Sequence, residues 1–129
     1  MGIKYLWDTN IAIYYLQQKF PPKTEKFIDD ALVESGPAIS VITEIELLCW
    51  KTATEKDLNV LYDFINLIQI FQLEKDIKLQ TAEIRKSTRI KLPDAIIAAT
   101  ALCFDQTLLT NNSGDFKRIE GLKLINPLV

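Results

Sequence analysis

The stretch Leu92-Pro93-Asp94-Ala95-Ile96-Ile97-Ala98-Ala99-Thr100-Ala101-Leu102 decides the fold. It reads as a helix that is apolar on nearly every side, and such a helix is normally buried. Pro93 suits a first helical position, because proline has no N–H to leave unpaired there. Asp94 follows and places a carboxylate at the positive end of the helix dipole. Taken alone, Asp94 reads as a helix-start residue.

Working outward, short apolar runs alternate with helical patterns. Ile3-Lys4-Tyr5-Leu6-Trp7 is a first strand, ended by Asp8-Thr9-Asn10, and Ile11 to Leu16 is a helix that Pro21-Pro22 terminates at the latest. Lys23 to Glu34 is a second helix, broken by Gly36-Pro37. Ala38 to Val41 is a second strand, and Thr43 can cap a helix from Glu44 to Lys51. Thr54 caps the next helix, Glu55 to Leu67, whose stripe is Leu58, Leu61, Tyr62, Ile65 and Ile68. Gln69 to Leu73 is a third strand. Asp76 to Ser87 is an amphipathic helix with Ile77, Ala82 and Ile84 among its apolar positions. Beyond the central helix, Thr107 to Thr110 and Lys123 to Ile125 are strands, with a turn or short helix over Asp115 to Ile119 between them. Strands alternating with helices predict βαβ units and an α/β fold on a mostly parallel sheet.

With 129 residues and almost half of them apolar, the chain is expected to form one domain with a real core. The net charge of −2 argues against a general electrostatic affinity for nucleic acid, while leaving room for a local basic patch or a cation-mediated phosphate site. Histidine is absent, which removes Ser-His-Asp triads and His-containing zinc sites. Cys49 and Cys103 lie in apolar helical patterns and are expected as core thiols, in keeping with a reducing cytoplasm. The start lacks a signal-peptide pattern, and no apolar run is long enough to span a membrane.

In an open parallel sheet, sites form at the carboxyl ends of the strands. Asp8 follows the first strand, Glu44 and Glu46 lie in the helix after the second, Asp115 follows the fourth, and Asp94 starts the central helix. Carboxylates gathered without His or paired Cys suit a hard divalent cation, Mg²⁺ or Mn²⁺. Such a cation offsets their repulsion and can activate water against a phosphodiester. Two carboxylates also suffice for glycoside hydrolysis, but a chain this small leaves little surface for a sugar cleft. Acids near strand ends also occur simply as caps and loop residues.

The order of these segments resembles a PIN-domain ribonuclease of the VapC toxin type. Four stretches carry the likeness: Trp7-Asp8-Thr9-Asn10; Ile39-Ser40-Val41-Ile42-Thr43-Glu44-Ile45-Glu46-Leu47; Leu92 to Ala101 around Asp94; and Leu109-Thr110-Asn111-Asn112-Ser113-Gly114-Asp115-Phe116. Each is weak alone, whereas four in the right order are specific. The resemblance implies a PIN-like three-layer fold, with a sheet of four to five short strands flanked by helices, over residues 1–129. It implies Asp8, Glu46, Asp94 and Asp115 as the acidic, metal-binding site. Glu44 and Glu46 point roughly 200° apart on a helix, so only one can face the site. The Thr-x-x-Glu-Leu register of the family selects Glu46.

By the same resemblance Thr9, Asn10, Thr110 and Asn112 are polar neighbours that orient acids or substrate phosphate; otherwise they cap helices and form turns. Arg89, Lys91, Lys117 and Arg118 lie closest in sequence to the acids and are candidates for phosphate contact. Lys75 and Lys78 read as a solvated helix face. The implied activity is metal-dependent hydrolysis of RNA phosphodiesters, with a small antitoxin as partner and a homodimer as the working form. Tyr14, Tyr15, Phe20 and Trp50 either line the antitoxin groove or pack in the core. Two other readings fit the same motifs: a catalytically silent PIN domain that binds RNA or protein, and a PIN nuclease of RNA processing without an antitoxin.

Overall fold

The computed structural model describes residues 4–129. Five strands form one sheet: β1 (Tyr5–Trp7), β2 (Ala38–Ser40), β3 (Gln69–Phe71), β4 (Thr107–Leu109) and β5 (Leu124–Ile125). Their order is β3-β2-β1-β4-β5, and every neighbouring pair is parallel. The chain builds outward from β1 to β2 and β3, then returns to place β4 on the other side of β1. That reversal leaves a crevice at the carboxyl ends of β1 and β4, where open α/β sheets place ligands. Seven helices accompany the strands among the described residues: α1 (Thr9–Leu16), α2 (Pro22–Glu34), α3 (Val41–Leu48), α4 (Glu55–Leu67), α5 (Lys75–Ser87), α6 (Leu92–Cys103) and α7 (Ser113–Phe116).

Alternation along the strands divides the core into two layers, because successive strand side chains point to opposite faces. Tyr5, Trp7, Ile39 and Leu109 pack with Ile11, Ile28, Leu47, Leu61 and Phe64 from α1 to α4. Leu6, Ala38 and Leu108 pack on the other face with Ile77, Ile84, Phe116 and the α6 run Ala95 to Ala99. The α6 prediction holds: every residue from Ala95 to Ala101 is buried. Thr100 is tolerated there because its hydroxyl donates to the Ile96 carbonyl at 2.7 Å.

Several sequence expectations shift. The first strand is shorter than expected, beginning at Tyr5, and Ile3 lies outside the described residues. Helix α3 is capped by Ser40, whose Oγ accepts from the Ile42 N–H at 3.0 Å, and not by Thr43. It therefore starts at Val41, inside the expected strand, and stops at Leu48, short of Lys51. Thr54 caps α4 as read, and Asp57, expected only as a surface residue, returns the bond to complete a capping box. Its buried face carries Phe64 in place of Tyr62, which is exposed. On α5, Thr81 takes the buried position between Ile77 and Ile84, and Ala82 faces outward. Helix α1 ends before the prolines, where Gln18 adopts φ +55°, the left-handed conformation of a helix stop.

Cys49 and Cys103 are exposed free thiols, not core residues. Each sits at the end of its helix, past the last buried turn, and Cys103 Sγ donates to the Asp76 carbonyl at 3.6 Å. Among the described residues, no helix is long and apolar enough to cross a membrane.

Candidate active site

Asp8 is the first residue beyond β1 and the N-cap of α1. Its backbone N–H still donates to the Leu109 carbonyl at 2.9 Å, which holds it in the β1–β4 ladder. One carboxylate oxygen, Oδ1, accepts from the Thr9 N–H at 2.8 Å, and Oδ2 accepts from the Thr110 hydroxyl at 2.7 Å. Asp8 is only 6% exposed. Burial pushes its carboxyl above the ordinary value, and the bonds from Thr110 and Thr9 pull the other way.

Glu46 is exposed on α3. Its Oε1 accepts from the Thr9 hydroxyl, and that hydroxyl also shares a hydrogen bond of 3.1 Å with the Thr43 hydroxyl. Thr9 thus touches two acids, Asp8 through its N–H and Glu46 through its side chain. Asp115 is exposed on α7 and accepts from Asn112 Nδ2 at 2.8 Å. The Asn112 N–H donates to Thr110 Oγ1 at 2.9 Å, so one chain of bonds runs from Asp8 through Thr110 and Asn112 to Asp115.

Asp94 lies in the first turn of α6, half-buried. Its carboxyl is raised first by burial, then by the charges of Asp8, Glu46 and Asp115, against which only Lys91 acts. The other three acids picked out from the sequence, Asp8, Glu46 and Asp115, therefore lie within electrostatic reach of Asp94. Among the described residues nothing donates a hydrogen bond to the Asp94 carboxylate, so the least compensated acid is the one surrounded by like charge. Among the described residues, no three Asp, Glu or Cys side chains are gathered closely enough to hold a metal ion as they stand. The coupling is through charge rather than shared contact. An all-carboxylate donor set, with only Lys91 offsetting the crowding at Asp94, suits a hard divalent cation by its chemistry.

The remaining candidates separate. Thr9, Thr110 and Asn112 bond to the acids; Asn10 is exposed in the first turn of α1, with no bond to them. Arg89, Lys91 and Arg118 line a cleft of about 290 Å³ together with Asp115, while Lys117 stands outside its lining. Lys75 and Lys78 are exposed on α5. Tyr15 packs edge-on against Trp7 and, with Phe20, also lines a cavity of about 600 Å³. Thr43 is a residue the sequence reading assigned to the wrong role. It is fully buried and braces Thr9 rather than capping α3. Its spacing of three from Glu46, which puts both on one helix face, was the available signal.

A parallel α/β sheet with acids converging at the β1–β4 crevice is the architecture of a PIN domain, and the PIN-domain family matches residues 5–122; the chain belongs to that family. Within the family, sequence and structure both match VapC toxins. The tRNA(fMet)-specific endonuclease VapC of Salmonella typhimurium is 29% identical over 130 residues, covering 95% of this chain and 96% of that protein. The structure of DNA-bound VapBC from Salmonella typhimurium superposes with a TM-score of 0.82 at 26% identity, over 98% of this chain and 99% of that one. A toxin–antitoxin complex from Klebsiella pneumoniae gives 0.75 at 29% identity, over 96% and 98%.

Proposed function

We propose that this chain is the toxin of a toxin–antitoxin pair, a metal-dependent endoribonuclease built as a single PIN domain over residues 1–129. The observation that carries the reading is Asp94, a half-buried carboxylate facing the charges of Asp8, Glu46 and Asp115. The family match and the likeness to VapC proteins support the same conclusion.

Asp8 and Asp94 would hold a Mg²⁺ or Mn²⁺ ion directly, with Glu46 and Asp115 completing the pocket. Bound there, the cation supplies a Lewis acid that neutralises phosphate charge and lowers the pKa of water. The chain's own residues do the rest. Thr110 and the Thr9 N–H fix the Asp8 carboxylate before substrate arrives, and the Thr9–Thr43 pair sets Glu46. Glu46, at the rim, orients water for in-line attack on phosphorus. The bond from phosphorus to the 3′ oxygen breaks and that oxygen takes up a proton, leaving 5′-phosphate and 3′-hydroxyl ends. Water is the nucleophile, so no 2′-hydroxyl is required chemically.

The partners follow the same reading. A small antitoxin seats an amphipathic segment in the cavity where Tyr15, Leu16, Phe20, Ile28 and Val60 are joined by Gln18, Glu25 and Asp29. The chain pairs with itself, and exposed apolar side chains including Ile45, Leu48 and Leu79 offer surface for that pairing. It works in the cytoplasm on RNA. Sedimentation that finds only monomer would contradict the dimer.

The test is cleavage of a labelled pool of structured RNAs, initiator tRNA included, with Mg²⁺, with Mn²⁺ and with EDTA, beside Asp94→Asn. Cleavage that needs both the cation and Asp94 is expected. Full activity of Asp94→Asn, or cleavage in EDTA, would overturn the assignment.

A further inference from the structure

The connection between α5 and α6 forms one wall of a groove that the acids do not explain. The cleft lined by Thr88, Arg89, Ile90, Lys91, Gly114, Asp115 and Arg118 abuts the acidic site through Asp115. A second cleft of about 400 Å³ shares Thr88, Arg89 and Arg118 with it and extends to Lys86 and Ser87. The two are therefore continuous, and the groove turns from acidic at its inner end to basic along its length.

The cations in this groove differ in how they are occupied. Lys86 pairs with Glu83 at 3.0 Å. Arg85, the residue before it on α5, donates from Nη1 to the Ile90 carbonyl at 3.2 Å. Thr88 Oγ1 donates to the Ile84 carbonyl at 2.9 Å. Arg85 and Thr88 thereby fold the 88–91 connection into a fixed shape. Arg89 and Arg118 are exposed, and neither makes a hydrogen bond or ion pair among the described residues. In a chain of net charge −2, these two arginines place positive charge on one groove beside an acidic site. A planar guanidinium suits phosphate oxygens better than an ammonium does.

We propose that the RNA substrate's strand enters or leaves the acidic site along this groove, its phosphates held by Arg89 and Arg118, with Arg85 as a positioning residue that shapes the wall. The inference rests on the nuclease reading and names the path of its substrate. These phosphates lie away from the bond that is cut. They contribute the same binding to ground and transition states, so their loss raises KM and leaves kcat alone.

The experiment measures binding of a labelled single-stranded RNA across a range of KCl concentrations, without divalent cation, in the Asp94→Asn background so that the strand survives. Arg89→Gln/Arg118→Gln is compared with Lys75→Gln/Lys78→Gln, which removes equal charge from exposed positions outside the groove. The arginine pair should lower the slope of log K against log salt by about 0.7 per contact, about 1.4 together, with an affinity loss on the order of tenfold. The lysine pair should leave both unchanged. With Asp94 restored and Mg²⁺ present, the arginine pair should raise KM at constant kcat. Equal slopes for the two pairs, or a fall confined to kcat, would overturn the groove while wild-type cleavage left the nuclease reading intact. An arginine-dependent slope in a protein that never cleaves would keep the groove and overturn the nuclease.

Discussion

Thr110 donates its hydroxyl to Asp8 Oδ2 at 2.7 Å, joining residues 102 positions apart in the chain. The parallel register of β1 and β4 sets Trp7 opposite Leu109, so the next residue of each strand meets the other at the sheet's carboxyl edge. Thr110→Val keeps the shape and removes the donor from a buried carboxylate. It should cost about 1–3 kcal/mol of stability. Urea unfolding measures that cost, and cleavage should fall with it. Thr110→Ser should restore both, and a silent valine variant would show that Asp8 needs no such support.

Asp8 and Asp94 both have carboxyls raised above 3.8, chiefly by burial. A raised carboxyl leaves stability intact below the unfolded value and removes it as pH climbs through the folded value. In EDTA, Asp94→Asn should therefore melt at the same temperature as wild type in strong acid and higher at neutral pH. Melting curves across that range decide it; a variant that melts lower at neutral pH would contradict the crowding of charge at Asp94.

A cation that binds only the folded acids raises stability by mass action, about 2.7 kcal/mol at one hundred times its Kd. Mn²⁺ or Mg²⁺ should raise the melting temperature of wild type, EDTA should reverse the rise, and Asp8→Asn/Asp94→Asn should respond little. Equal responses of the two proteins would place the ion elsewhere.

Phe116 is fully buried, one residue after Asp115, and anchors the short helix α7 in the core beneath α6. Phe116→Ala should cost about 3–5 kcal/mol, because the cavity collapses only in part. Val33→Ala, at a side chain 89% exposed, should change stability little. Chemical denaturation of both compares the two. Cleavage by the folded fraction of Phe116→Ala should also fall, since α7 carries Asp115.

The central helix was legible because Ala95 to Ala101 is apolar around its whole circumference, and only burial accommodates that. The α4 start was legible because Thr54 is a cap by type and the bond it makes is local, to the Asp57 N–H three residues on. The α3 start was misread because Ser40 and Thr43 are both acceptable caps by type. The choice between them depends on Thr43 being drawn inward to Thr9. The cysteines were misplaced for a related reason: helical periodicity gives the side a residue lies on, not how far along the helix the core extends.

By itself the sequence determined the alternation of strands and helices, the buried central helix, and the four acids whose motifs carry the PIN resemblance. Those properties depend on residue type and on spacings of a few positions. Only the tertiary structure decided which polar residues serve those acids. Thr9, Thr43, Thr110 and Asn112 bond into the site while Asn10 does not, and Arg89 and Arg118 share a groove that Lys117 does not line. Such contacts join segments far apart in the chain, and their partners are chosen by strand register and helix packing, which no local pattern records.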